Sequence, residues 1–151
     1  MRQLSSLVIC SLLAVTASGC GSDSTTSPTT PSTTSTFVYT LVGTVPAAVD
    51  GVRRSNTHQF VLGSSSAVSL VLTSATEALV DGTTLTTVVM GIGLGSVANG
   101  VCVVPAGSTI QATYSADVQL TKTLPQGIGC VVVSDVTVQE GPVTYQIGLK
   151  F

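Results

Sequence analysis

The stretch VTYQIGLKF at residues 143–151 decides how the rest of this sequence reads. Val143, Tyr145, Ile147, Leu149 and Phe151 fall on one side of an extended chain, while Thr144, Gln146, Gly148 and Lys150 fall on the other. Successive side chains of a strand point to opposite faces, so this period of two predicts a strand with one dry and one wet face. The rhythm recurs upstream. Phe37, Tyr39 and Leu41 alternate with Val38, Thr40 and Val42; Val68, Leu70 and Leu72 alternate with Ser69 and Thr73. Val88, Met90, Ile92 and Leu94 alternate with Val89 and three glycines, and Val118 and Leu120 with Gln119 and Thr121.

Turn formers separate these runs: Asp50-Gly51, Gly63, Asp81-Gly82, Asn99-Gly100, Pro105, Pro125 and Gly141-Pro142. No stretch carries the 3.6-residue period of an amphipathic helix. About eight short strands with spaced turns predict an all-β domain over residues 37–151, an antiparallel β-sandwich of jelly-roll or Greek-key type. Composition agrees. Of 151 residues, 44% are hydrophobic and only 8% charged, far below the roughly 25% typical of soluble domains. The formal net charge of −2 leaves no basic field for a phosphate backbone, which argues against a nucleic-acid partner.

Residues 1–36 read differently. A positive start (the amino terminus and Arg2) precedes an apolar run from Leu7 to Val15 and the small residues Ala17, Ser18 and Gly19, the layout of an export signal. About 14 residues at 1.5 Å each reach only ~21 Å of a ~30 Å hydrocarbon core, so the run is too short to span a membrane. Cys20 directly follows ASG, and this arrangement resembles the lipobox of bacterial lipoproteins; Ala17 departs from the Leu usual there. The resemblance implies that residues 1–19 are a signal peptide removed with Cys10, and that Cys20 is the lipidated residue. Two or three acyl chains, at about 0.8 kcal/mol per buried CH₂, hold a protein stably where one would not. Gly21 stands where an inner-membrane retention Asp would be, so the resemblance points to the outer membrane.

Between Ser22 and Thr36 every residue is Ser or Thr except Asp23, Pro28 and Pro31. Such a segment has no apolar groups to offset the entropy of ordering, and residues 20–36 are expected to form a disordered tether beginning at the lipidated cysteine. An exported chain meets an oxidising compartment, so the two remaining thiols, Cys102 and Cys130, are expected to form a disulfide between adjacent strands. No Cys-x-x-Cys is present to make them a redox pair. With His58 the sole histidine and the acids Asp50, Glu77, Asp81, Asp117 and Asp135 scattered, no metal site or other cofactor is expected.

The succession HQFVL, AVSLVLTS, VVMGIGLG, GVCVV, LPQGIGCVVVSDV and VTYQIGLKF resembles the bacterial pre-peptidase C-terminal domain over about residues 57–151. The resemblance implies a secreted, non-catalytic β-sandwich of the kind attached to proteases or surface proteins, where it aids secretion, stability or substrate binding. Some relatives bind calcium through clustered acids, which this chain lacks.

Candidate sites are few. With one histidine and no Gly-x-Ser-x-Gly elbow, a hydrolase triad lacks its parts, and His58 reads as a strand-edge residue. The GIGLG of residues 91–95 leads into no helix that could face a phosphate, so its glycines read as close sheet packing. Arg53 and Arg54 read as a solvated loop and Asp135 as a turn residue. Tyr39 and Tyr145 point with the apolar faces of their strands, Tyr114 alone is free, and without Trp a sugar-stacking platform is not expected. The expected function is therefore a non-enzymatic, lipid-anchored module of the cell envelope, binding or structural. Its partners would be the membrane through the anchor and an envelope protein or extracellular ligand. The alternative is a surface adhesion or ligand-binding lipoprotein that recognises peptide or glycan through loops such as Val49–Asn56 and Glu77–Thr84.

Overall fold

In a computed structural model of the protein, which describes residues 38–151, ten strands follow one another with no helix among the described residues. They are β1 (Tyr39–Val45), β2 (Ser55–Leu62), β3 (Ser66–Ala78), β4 (Thr84–Leu85), β5 (Met90–Ala98), β6 (Val101–Val103), β7 (Thr109–Ala112), β8 (Leu120–Leu124), β9 (Gly127–Asp135) and β10 (Val143–Lys150). The signal segment 1–19, Cys20, the tether 20–36 and Phe37 lie outside the described residues.

Two antiparallel sheets form. One runs β1-β10-β3, with β4 and β8 sharing the far edge of β3; the other runs β2-β9-β5, with β6 and β7 sharing the far edge of β5. The pairings nest: β1 with β10, β2 with β9, β3 with β8 and β5 with β7. A doubled ribbon folded in this way and wrapped into two sheets is a jelly roll. Two strands beyond the expected eight are the short β4 and β6.

The alternation is realised in the core. Val143, Tyr145, Ile147 and Leu149 of β10 are buried between the sheets, beside Val68, Leu70 and Leu72 of β3 and opposite Phe60, Val131, Val133, Met90, Ile92 and Leu94. In β3 the phase changes midway. Ile147 faces Leu72 but Gln146 faces Ser74, so Thr73 is an extra residue, and its hydroxyl donates to the Gln146 carbonyl at 3.1 Å. This bulge turns Ala75 and Glu77 inward where an unbroken period would expose them.

Both two-residue hairpin turns have positive φ at each central residue: Asp50 (54°) with Gly51 (72°), and Asn99 (51°) with Gly100 (79°). That geometry matches the twist of the flanking strands, and Asx-Gly meets it at least steric cost. Val118, expected in a strand with Leu120, instead lies exposed ahead of β8. Tyr39 shares the inward face of Leu41 but stays half exposed, its ring stacked on Phe151 at 5.5 Å; Phe151 in turn stacks on Phe60 at 5.6 Å.

The glycines of GIGLG face outward from β5 while Met90, Ile92 and Leu94 face the core. Chain lies directly on them. A Cβ on Gly93 would meet the Val104 side chain at 3.1 Å, and one on Gly95 would collide with the Val103 carbonyl. The Cys102–Cys130 disulfide pins this overlay. It does not join adjacent strands, because β6 and β9 flank β5 on opposite sides and the bridge crosses the face where Gly95 has no side chain. Closing a loop of 28 residues stabilises the fold by about 3–4 kcal/mol through the entropy of the unfolded chain.

Two substitutions separate close packing from glycine's general flexibility. Gly95→Ala forces backbone to move and is expected to cost about 2–3 kcal/mol. Gly63→Ala, with nothing within 4 Å of its Cβ, is expected to stay within about 0.5 kcal/mol of the parent. Urea midpoints at unchanged slope read both.

Candidate functional site

Side chains that could carry chemistry gather in three places. The first is the seam where edge strands β1 and β2 approach. His58 lies on the inward-facing side of β2, and its Nε2 sits 2.7 Å from the hydroxyl of Tyr145 on β10, with the rings edge to face. Burial holds the Tyr145 phenol protonated up to about 12, while the Asn56 amide against its oxygen pulls weakly the other way. The phenol and Nε2 share one hydrogen bond, whose direction follows the imidazole tautomer. Asn56 also reaches the Thr44 carbonyl of β1 at 3.4 Å, and Gly43 opens the space that the Tyr145 hydroxyl fills. The cluster ties the two sheets together at their shared flank. Loss of hydration lowers the His58 pKa from its ordinary 6.5, so the neutral ring is the folded form.

The second place is the end of the sandwich away from Val38. Three connections meet there: residues 46–54, 79–83 and 136–142. Hydrogen bonds tie them together. Ala48 donates to the Gln139 carbonyl, Ala78 to the Pro142 carbonyl, and Gly141 to the buried Glu77 carboxylate at 3.0 Å. Arg54 and Asp135 exchange bonds, the Arg54 amide reaching Asp135 Oδ2 at 3.1 Å and the Asp135 amide reaching the Arg54 carbonyl. Asp135 therefore closes β9 and fixes the start of β2. Its Oδ1 and the Oε1 of Gln139 are buried without a hydrogen-bond partner among the described residues. The tips are apolar: Val49, Val52 and Val138 are more than half exposed and Val80 is 90% exposed. Thr83 steadies the Val80 turn through its amide and hydroxyl, both on Asp81 Oδ1, and these bonds lower the Asp81 pKa.

The third place is a shallow groove of ≈ 210 Å³ on the far edge of β3, lined by Thr73, Ser74, Ala75, Thr76, Thr86 and Tyr114. Its cause is topological. On that edge β8 pairs with Ser66–Leu70 and β4 with Glu77 and Ala78, and no strand pairs with the residues between. After Leu85 the chain leaves for the other sheet, with Val88 buried as its anchor, and after Ala112 it returns. The crossings stand apart and leave the edge between them without a paired strand, but Ala75 there is buried and the Ser115 amide donates to the Leu72 carbonyl at 2.8 Å. Gln119 fills one end: the Leu72 amide donates to its Oε1 at 2.7 Å, and its Nε2 donates to the Thr113 carbonyl at 2.6 Å.

The structure therefore scatters the residues that the sequence singles out. His58 and Tyr145 meet, and Arg54 meets Asp135, whereas Tyr114 stands exposed at the groove, far in the chain from either pair. Among the described residues no three His, Cys, Asp or Glu side chains come close enough to hold a metal ion. The groove itself escapes sequence reading, since its floor is ordinary strand and its walls are two crossings that no motif announces. No protein-family model, curated protein or solved structure matches the chain.

The His58 geometry sets a pH dependence. Its folded pKa lies below the unfolded value of 6.5, so the unfolded state binds more protons between the two. Stability is full above about pH 6.5 and is lost as pH falls through the folded value. Thermal melts of the parent are expected to drop more from pH 7 to pH 5 than those of His58→Gln. An equal drop in both would show that His58 is not the titrating group.

Proposed function

We propose that this chain is a non-catalytic, lipid-anchored lipoprotein of the bacterial cell envelope that works as a binding or structural module. The observation that carries the proposal is the sequence ASGC at residues 17–20, followed at once by a Ser/Thr/Pro segment long enough to hold a folded body off the membrane. As a flexible coil that segment spans roughly 20 Å. Acyl chains on Cys20 would make the membrane its first partner, with the outer membrane favoured by Gly21. The likeness to a pre-peptidase C-terminal domain fits the same reading and rests on the strand motifs alone.

The fold is consistent with this use. The tether joins the sandwich ahead of Val38, whose amide bonds to Leu149, and the loops with exposed valines lie at the other end of β1. That arrangement favours the second reading, in which loops Val49–Asn56 and Glu77–Thr84, now joined by 136–142, recognise a peptide, a glycan or an envelope protein. Exposed apolar tips stabilise nothing in the folded body, and clusters of them mark contact surfaces.

Metabolic labelling with an alkyne fatty acid tests the anchor. Full-length protein is expected to take up label, and Cys20→Ser is expected to lose it and appear in the soluble fraction. Unlabelled parent protein would sink the reading. For the loops, the double variant Val80→Ser, Val138→Ser is expected to keep the parent's urea midpoint within about 0.5 kcal/mol, since both side chains are exposed, yet lose envelope crosslinks on intact cells.

A further inference from the structure

We propose that the end of the sandwich at which the tether arrives is a membrane-contact surface, which rests on anionic phospholipid headgroups with Val61, Val101 and Ile128 against the lipid. The inference rests on the lipid-anchored reading above and adds an orientation to it. A flexible tether confines a body near a bilayer without turning it, whereas a surface turns it.

Strand directions define this end. Tyr39 lies opposite Leu149 and Leu62 opposite Gly127. The short connections 63–65 and 125–126 each step from one sheet to the other, from β2 to β3 and from β8 to β9, so the ends of the two sheets coincide there. Val38, Phe151 and the turn 99–100 between β5 and β6 belong to the same end.

Apolar side chains run across it from one sheet to the other. Tyr39 stacks on Phe151 and Phe151 on Phe60; Val61 follows Phe60 and lies opposite Ile128. Phe60 and Leu62 are buried, so alternation puts Val61 on the outer face. Val38, Val61 and Val101 are more than half exposed, and Ile128 is 47% exposed. A run of this kind on a folded surface calls for an apolar neighbour.

Charge chooses the neighbour. Among the described residues, Asp50, Glu77, Asp81, Asp135 and Glu140 all lie at the other end, in or beside connections 46–54, 79–83 and 136–142, and Asp117 lies between β7 and β8 on the flank. Arg53 and Arg54 offset only part of that acidity. The tethered end carries no acidic side chain; its ionisable side chains are Lys150, the exposed last residue of β10, and Lys122, opposite Val68. Lysine lays its stem along apolar surface and keeps its ammonium at the headgroups, and each one near an anionic leaflet strengthens attachment. A second copy is a poor occupant, because two such ends would set lysine against lysine.

A weak contact is enough. Residues 20–36 lead through Phe37 into Val38 at this end, and acyl chains on Cys20 would hold the surface beside the bilayer. Short flexible linkers give effective concentrations in the millimolar range, so a surface with an intrinsic dissociation constant of that order is occupied about half the time.

The test has two arms. Full-length acylated protein is placed in nanodiscs of phosphatidylethanolamine and phosphatidylglycerol with a gadolinium chelate on some headgroups. The methyl NMR signals of Val61, Val101 and Ile128 are expected to be lost and those of Val80 and Val138 kept. Equal loss at both ends would overturn the proposal, since it describes a body that turns freely. The second arm needs no anchor. Cys20→Ser protein, titrated with the same lipids to millimolar concentration, is expected to broaden at Val61, Val101 and Ile128. Phosphatidylcholine in place of phosphatidylglycerol is expected to weaken that binding at least about tenfold, the loss of two lysine contacts. The double variant Val61→Glu, Val101→Glu, at two exposed positions on different strands, is expected to keep the parent's urea midpoint and lose the broadening. Broadening at Ile128 that ignores lipid charge, survives the double variant, or appears without lipid as protein concentration rises would overturn the proposal; the last would make a second copy the occupant. Protein that cells leave unacylated, but whose Cys20→Ser form binds in this way, would remove the anchor and keep the surface.

Discussion

The register of β10 between β1 and β3 is the constraint on which the rest of the structure depends. Every residue of β1 finds its partner on β10, from Tyr39 opposite Leu149 to Val45 opposite Val143, and β10 then passes that register to β3. Because side chains alternate with period two, a slip of one residue would turn Val143, Tyr145, Ile147 and Leu149 to water together. It would also take the Tyr145 hydroxyl from His58, and with it the contact that joins the two sheets at their flank. One choice of pairing thus commits the core, the seam and, through the bulge opposite Gln146, the direction of the β3 edge.

What was legible in the sequence and what was not divide along a physical line. Alternation in VTYQIGLKF, VSLVL and MGIGL encodes burial residue by residue, and the strands and core follow it. Asp50-Gly51 and Asn99-Gly100 encode their turns because few residue pairs tolerate positive φ twice in succession. The disulfide partners were legible from the count of cysteines, but the path of the bridge was not. That path depends on β6 folding over Gly95, a tertiary contact between residues whose pairing no local pattern declares. The bulge at Thr73 was equally silent, as TSATEA carries no glycine or proline to mark it.

The candidate sites were less legible still, for the same reason. His58 read as a strand-edge residue with no catalytic company, because its partner Tyr145 lies on another strand far along the chain. Asp135 read as a turn residue, and its bond to the Arg54 amide shows the turn it closes to be the start of another strand. Tyr114 read as the one unclaimed aromatic, and it does stand exposed, but the groove beside it is made by two crossings that leave part of a sheet edge without a paired strand. A surface created by what the chain does not cover leaves no mark in any single segment.

The nested pairing has a consequence for how the molecule comes into being. The first described strand closes on the last, and the second on the last but one, so neither sheet has its near margin until β9 and β10 have been made. Few contacts here are local, and topologies of that kind assemble slowly. A growing chain therefore carries the apolar faces of β1 and β2 without their partner strands until β9 and β10 have been made, and depends on being kept from its neighbours in that interval.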